Sequence, residues 1–216
     1  MTPRLYLVTP VLETPQPFLP RLEEALGAAD IAAILLHLEE ADERALINRV
    51  KAVAAVVQRR DIALLLDRRV GLVGRSGADG AHLTGIEPLR AALPTLKPDR
   101  IAGAGGLRSR DDAMLAGEAG ADYVMFGEPA PDPAHRPDHG ERGGGPPFAA
   151  VVERVAWWAD LFQPPCIGYA ANRGEVGPLA AAGADFIALG DWIWAESGGV
   201  GTAVTAANEL LAGART

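Results

Sequence analysis

Gly77-Ala78-Asp79 followed by GAHL, Gly120-Ala121-Asp122 followed by YVMFG, and Gly183-Ala184-Asp185 followed by FIALG decide the fold. Each tripeptide closes a segment with helical spacing and opens a short apolar run. Glycine just past a helix accepts the left-handed backbone that ends it. A run that is apolar on both faces suits a parallel strand covered on each side. A repeated helix–Gly–strand joint therefore predicts parallel βα units. The third copy comes about 20 residues later than two such units require. The stretch 128–147, EPAPDPAHRPDHGERGGGPP, has no apolar period and takes up the surplus as one long loop.

Outward from these joints, strands are expected at 4–9, 31–38, 62–66, 80–84, 99–103, 123–126, 166–169 and 186–189. The clearest helix is 41–60, where Leu46, Val50, Val53, Val56 and Val57 form one stripe and most charges lie off it. Ser109 and the acidic pair after it mark the start of another. Residues 103–106, GAGG, read as a turn. Eight strands alternating with helices, without a composition break, predict a single (β/α)8 barrel domain over 1–216. The rival is a doubly wound sheet with a dinucleotide fingerprint at 103–108, but its third glycine falls on Arg108.

The chain has 216 residues, 49% hydrophobic content and a net charge of −8. The acidic balance argues against nucleic acid and anionic membrane as partners. A single cysteine, Cys166, excludes an internal disulfide and is expected to be a buried, inert thiol in a reducing compartment. No signal-peptide core or membrane-spanning run is evident, so a cytoplasmic location is expected. Trp157, Trp158, Trp192 and Trp194 suit core or subunit contact, which leaves a homodimer open.

Barrels of this type carry their site at the C-terminal ends of the strands. His37 there is an acid–base group, a ligand or a hydrogen-bonded core residue. Asp67 ends an aliphatic strand, where an unpaired carboxylate is costly. It either holds Mg²⁺ together with substrate phosphates or pairs with Arg68 or Arg69. Glu128 opens the long loop as a proton-transfer group or as a solvated residue. Asn172 and Arg173 precede a helix, where free N–H groups suit a phosphate, although Asp191 would repel one. His135 and His139 lie in a loop too irregular to preorganise a metal site. A small-molecule substrate, possibly one carrying phosphate, is the expected partner.

These segments resemble the thiamine phosphate synthase family, which includes the thiazole tautomerase TenI. RLYLVTP at 4–10 is similar to the family's opening strand. LLLDRRVGLVGRSGADGAHLTG at 64–85 is similar to its Asn-Asp-Arg…Gly-Ala-Asp-Gly-Val-His-Leu-Gly stretch, the most specific match. GEAGADYVMFGEP at 117–129 and CIGYA at 166–170 resemble its later strands. The resemblance implies a (β/α)8 barrel that joins a pyrimidine diphosphate to a thiazole phosphate, with Mg²⁺ and release of pyrophosphate. It implies Asp67 and Glu87 as metal ligands and Glu128, in the place of a TenI-like His, in catalysis beside the His37 read from its strand end. It also places Glu39, Arg68, Gly105, Gly168, Gly190 and Asp191 around the substrate, beside the Asn172 and Arg173 read from the helix start. The site is altered. His37 and Glu39 stand where the family has Arg and Lys, and Gly105 where it has the strand-five Ser. Glu128 stands where TenI-like members place a His. Two other functions therefore stay open: a TenI-like proton-transfer enzyme, and a metabolite-binding barrel without the chemistry. The mouth is expected to be acidic.

Overall fold

In chain order the computed structural model, which describes residues 2–128 and 146–213, runs as follows. It begins with β1 (Arg4–Val8), α1 (Leu19–Ala28), β2 (Ile31–Leu36), α2 (Glu43–Val57), β3 (Ala63–Asp67) and α3 (Val70–Ser76). Then come β4 (Gly80–Thr84), α4 (Ile86–Leu96), β5 (Ile101–Gly105), α5 (Arg110–Ala119) and β6 (Tyr123–Phe126). It ends with α6 (Phe148–Leu161), β7 (Cys166–Ala170), α7 (Val176–Ala181), β8 (Phe186–Leu189), α8 (Asp191–Trp194) and α9 (Val200–Gly213). The strands form a closed parallel barrel in the order β1 to β8. Closure is made by β8 against β1, from Arg4 opposite Phe186 to Leu7 opposite Leu189. The eightfold alternation expected from the sequence is thus present, and the open sheet is excluded. The expected 128–147 loop lies almost wholly outside the described residues.

Gly77, Gly120 and Gly183 take φ of 80°, 99° and 94°, the left-handed backbone that stops the helix before each joint. The aspartate of each joint has a second job. The carboxylates of Asp79, Asp122 and Asp185 accept the N–H groups of Leu64, Ala102 and Cys166 at 2.7, 2.7 and 2.8 Å. The N–H of each Asp donates to the carbonyl of the same residue, at 2.8, 2.9 and 3.0 Å. Each repeat therefore ties the start of one strand to the strand before it: β4 to β3, β6 to β5 and β8 to β7. The carboxylates are partly solvated, so each bond is worth about 1–2 kcal/mol. Changing any one of these aspartates to Ala should lower the melting temperature by about 2–6 °C. Thermal unfolding of the three single variants checks this, and three unchanged midpoints would contradict it.

Alternation along the strands separates two apolar regions. Leu5, Leu7, Ile34, Leu36, Leu64 and Leu66 point outward to the helices. Tyr6, Val8, Leu35, Leu65, Tyr123, Met125, Ile167 and Tyr169 fill the barrel. Trp158 is buried, stacks on Phe162 at 4.3 Å and donates its indole N–H to the Pro164 carbonyl at 2.7 Å. Burial pushes the Cys166 thiol up to about 12, in keeping with an inert side chain. No helix of the described residues is long and apolar enough to cross a membrane.

The turn expected at 103–106 is not found: β5 continues to Gly105. Its glycines are there because side chains from neighbouring strands lie across them. A Cβ at Gly103 would come within 2.0 Å of the Tyr123 ring, and one at Gly105 within 1.3 Å of Glu128 Oε1. A strand made of Ile-Ala-Gly-Ala-Gly carries no bulk of its own, which is why its sequence resembles a turn.

Candidate active site

The carboxylate of Asp67 closes β3 at the mouth of the barrel, with 18% of its side chain exposed. Arg68 follows it at φ 55°, a left-handed conformation rare outside glycine and costing about 1–3 kcal/mol. Its N–H donates to the His82 carbonyl at 2.9 Å. Its guanidinium Nε turns back to Asp67 Oδ2 at 3.0 Å. His37 sits just past β2. Its backbone N–H donates to Thr9 Oγ1 at 3.0 Å, and its ring Nδ1 lies 2.9 Å from the Thr9 carbonyl. A carbonyl only accepts, so Nδ1 carries the proton. Nε2 then faces Asp67 Oδ2 at 3.9 Å, too far for a direct hydrogen bond but a span that a shared donor or cation bridges.

A second constellation lies on β4, β5 and β6. Glu128, just after β6, receives His82 Nε2 at 2.6 Å on Oε1 and the Gly106 N–H at 2.5 Å on Oε2. His82 Nδ1 is 2.8 Å from the Tyr123 hydroxyl, which is 3.1 Å from the Tyr6 hydroxyl. Burial is the main cause that pushes both phenols well above their ordinary range, so both keep their protons. The sequence reading missed His82, Tyr123 and Tyr6. A signal was present: phenols inside buried strands need partners for their hydroxyls. His82 also sits two residues after the inward-facing Gly80, on the same face of β4.

Between β7 and β8 the expected anion cradle is occupied by the protein's own groups. Glu175 accepts the Ala171 N–H at 2.7 Å and the Asn172 amide at 2.9 Å, and Asn172 Oδ1 accepts the Gly174 N–H at 2.9 Å. A Cβ at Gly190 would meet the Tyr169 hydroxyl at 1.7 Å, so that ring fills the space. A Cβ at Gly168 would meet Leu179 at 2.9 Å, so the bare side of this glycine faces α7 rather than the mouth. Arg173 and Asp191 are exposed.

The acidic residues expected together at the mouth are not drawn into one cluster. Asp67 meets His37 and Arg68, and Glu128 meets His82. Glu39 is exposed. Glu87 is 85% exposed in the first turn of α4 and pairs with Arg90 at 3.4 Å, because that helix turns it toward solvent. Among the described residues no group of three or more His, Cys, Asp or Glu side chains is placed to hold a metal ion.

The sequence matches the family described as thiamine monophosphate synthase over residues 5–193. It is 37% identical to a thiamine-phosphate synthase of Rhodospirillum centenum, over 97% of this chain and 98% of that one. Against a thiamine-phosphate synthase of Hyphomonas neptunium it is 35% identical, over 96% and 93%. Among solved structures it superposes on a thiamine phosphate pyrophosphorylase from Pyrococcus furiosus with a TM-score of 0.77 and 21% identity, covering 99% and 97% of the two chains. A 3-hexulose-6-phosphate synthase from Salmonella typhimurium, at 0.69 and 14% over 98% and 100%, shares the fold. Near-complete coverage by relatives above 30% identity settles the kinship that the 64–85 motif suggests: the chain belongs to the thiamine monophosphate synthase family.

Proposed function

We propose that the protein is a thiamine phosphate synthase, joining a pyrimidine diphosphate to a thiazole phosphate with release of pyrophosphate. The observation that carries this reading is Asp67 with Arg68 folded back over it at the end of β3, inside the stretch most similar to the family. The donor set fits Mg²⁺ in the way such sites are usually built, with one or two protein carboxylates and the remaining oxygens from substrate phosphate and water. Asp67 would hold the ion, and Glu87, which now pairs with Arg90 in solvent, would have to leave that pair to serve as a second carboxylate. The metal would supply charge neutralisation for the departing diphosphate.

Around it, Arg68 and Arg173 provide positive charge for the two phosphorylated substrates. Backbone at Gly105, Gly168 and Gly190, together with Asn172, borders the places proposed for them. Binding between β7 and β8 requires Glu175 to give up the N–H groups it now holds, or a phosphate placed beside them. His37, fixed by Thr9, directs its Nε2 toward Asp67 and can exchange a hydrogen bond with substrate. Glu39 and Asp191 add negative charge that disfavours a free diphosphate and favours one carried with a cation.

Growth complementation tests the reading. A bacterium lacking its own thiamine phosphate synthase should grow without added thiamin when it expresses this chain. Failure to grow, with folded protein present in the cells, would count against it.

A further inference from the structure

We propose that Glu128 takes over the position of the missing strand-five side chain and selects an aminopyrimidine by accepting its N–H groups. The ligand's identity rests on the synthase reading, whereas the site itself rests on geometry. A Cβ at Gly105 would lie 1.3 Å from Glu128 Oε1 and 2.6 Å from His82 Nε2. The carboxylate has therefore crossed from the end of β6 into the space over β5. It occupies the space that any side chain on Gly105 would need.

The donors around this carboxylate run in one sense. Ionised, it has no proton to give, so His82 Nε2 must donate to it. With His82 neutral, its Nδ1 is then an acceptor and the Tyr123 hydroxyl donates to it. The Tyr6 hydroxyl in turn donates to Tyr123. A chain of buried donors aligned on one carboxylate holds that carboxylate aimed. The His82 side chain is 3% exposed, whereas that of Glu128 is 17% exposed and reaches the mouth.

A carboxylate has about four acceptor positions. His82 and the Gly106 N–H use one on each oxygen, so each oxygen can accept once more, from the mouth side. The ligand chemistry that fits is a flat ring presenting N–H donors on one edge. A 4-aminopyrimidine offers its exocyclic amino group and, when protonated, a ring N–H. The 4-oxo analogue presents a carbonyl oxygen instead of the amino group, which the carboxylate repels. An anion at this position therefore discriminates by repulsion as well as attraction.

Calorimetry with two unphosphorylated probes, a 4-amino-5-hydroxymethylpyrimidine and its 4-oxo analogue, tests the proposal without requiring turnover. The folded wild-type protein should bind the amino probe at least about tenfold more tightly than the oxo probe. In Glu128→Gln, whose amide can donate as well as accept, that ratio should fall to about one or reverse. Glu128→Ala should lose the amino probe, and adding Gly105→Ser to it should recover part of the affinity. Equal binding of the two probes by wild type, no binding of the amino probe, or an unchanged ratio in Glu128→Gln would overturn the proposal. The outcome separates from that of the synthase reading. Turnover with an unchanged ratio in Glu128→Gln rejects the role of Glu128 alone. The predicted ratios without turnover uphold Glu128 and reject the reaction.

Discussion

Asp67→Ala is expected to lower pyrophosphate release by about 10²–10³-fold while leaving metal-free binding of the pyrimidine diphosphate no weaker, and even slightly tighter. The two effects differ in sign because Asp67 has two neighbours to answer to. It engages Arg68 at 3.0 Å, so its removal releases a cation toward the diphosphate. It is also the buried-side carboxylate proposed to carry Mg²⁺, so its removal takes away the ion that would neutralise the leaving group. Wild type should bind the diphosphate more tightly with Mg²⁺ than without it, and the variant should lose that gain. Calorimetry with and without Mg²⁺, alongside the kinetics, reads both halves. A variant that keeps most of its turnover, or keeps the Mg²⁺-dependent gain in affinity, would show that the metal is held elsewhere.

Gly80→Ala should have the largest effect on stability. An added Cβ would lie 2.1 Å from the Ile101 carbonyl oxygen, 2.6 Å from its Cβ and 2.8 Å from its carbonyl carbon. Two of those three atoms are backbone of the neighbouring strand, and Gly80 is paired in register with Ile101. No rotamer change relieves such a contact. The strands must separate or slip, at a cost of about 3 kcal/mol or more. The melting temperature should fall by about 6–12 °C, or the protein should fail to accumulate in soluble form. Gly74→Ala is the matched comparison, since a Cβ there meets nothing within 4 Å and the site is mid-helix in α3. It should be neutral or stabilising by up to about 1 kcal/mol. Two variants with the same midpoint would contradict the steric account.

The barrel was legible because its signals are local. A left-handed glycine, an aspartate and an apolar run lie within a few residues of one another, and the pattern repeats. What the aspartates bond to was not legible, since Leu64, Ala102 and Cys166 lie about 15 to 20 residues earlier and only strand pairing brings them near. The same limit applies at the site. Asp67 and His37 could be placed from strand ends alone, and they do face each other. Glu87 was placed by motif, but the phase of α4 turns it to solvent. Glu128 could be placed from the end of β6, but its chain to His82, Tyr123 and Tyr6 was missed, because strand pairing alone brings β1 and β4 against β6. Nothing at Gly105 announced that its bareness makes room for a carboxylate from the next strand.

The most direct measurement is a single-pot assay of the purified wild-type chain with a pyrimidine diphosphate, a thiazole phosphate and Mg²⁺, following pyrophosphate and thiamin phosphate together. The two products should appear in equal amounts, only when both substrates are present, and chelating the metal should stop both. No product at high enzyme concentration, or pyrophosphate without thiamin phosphate, would contradict it.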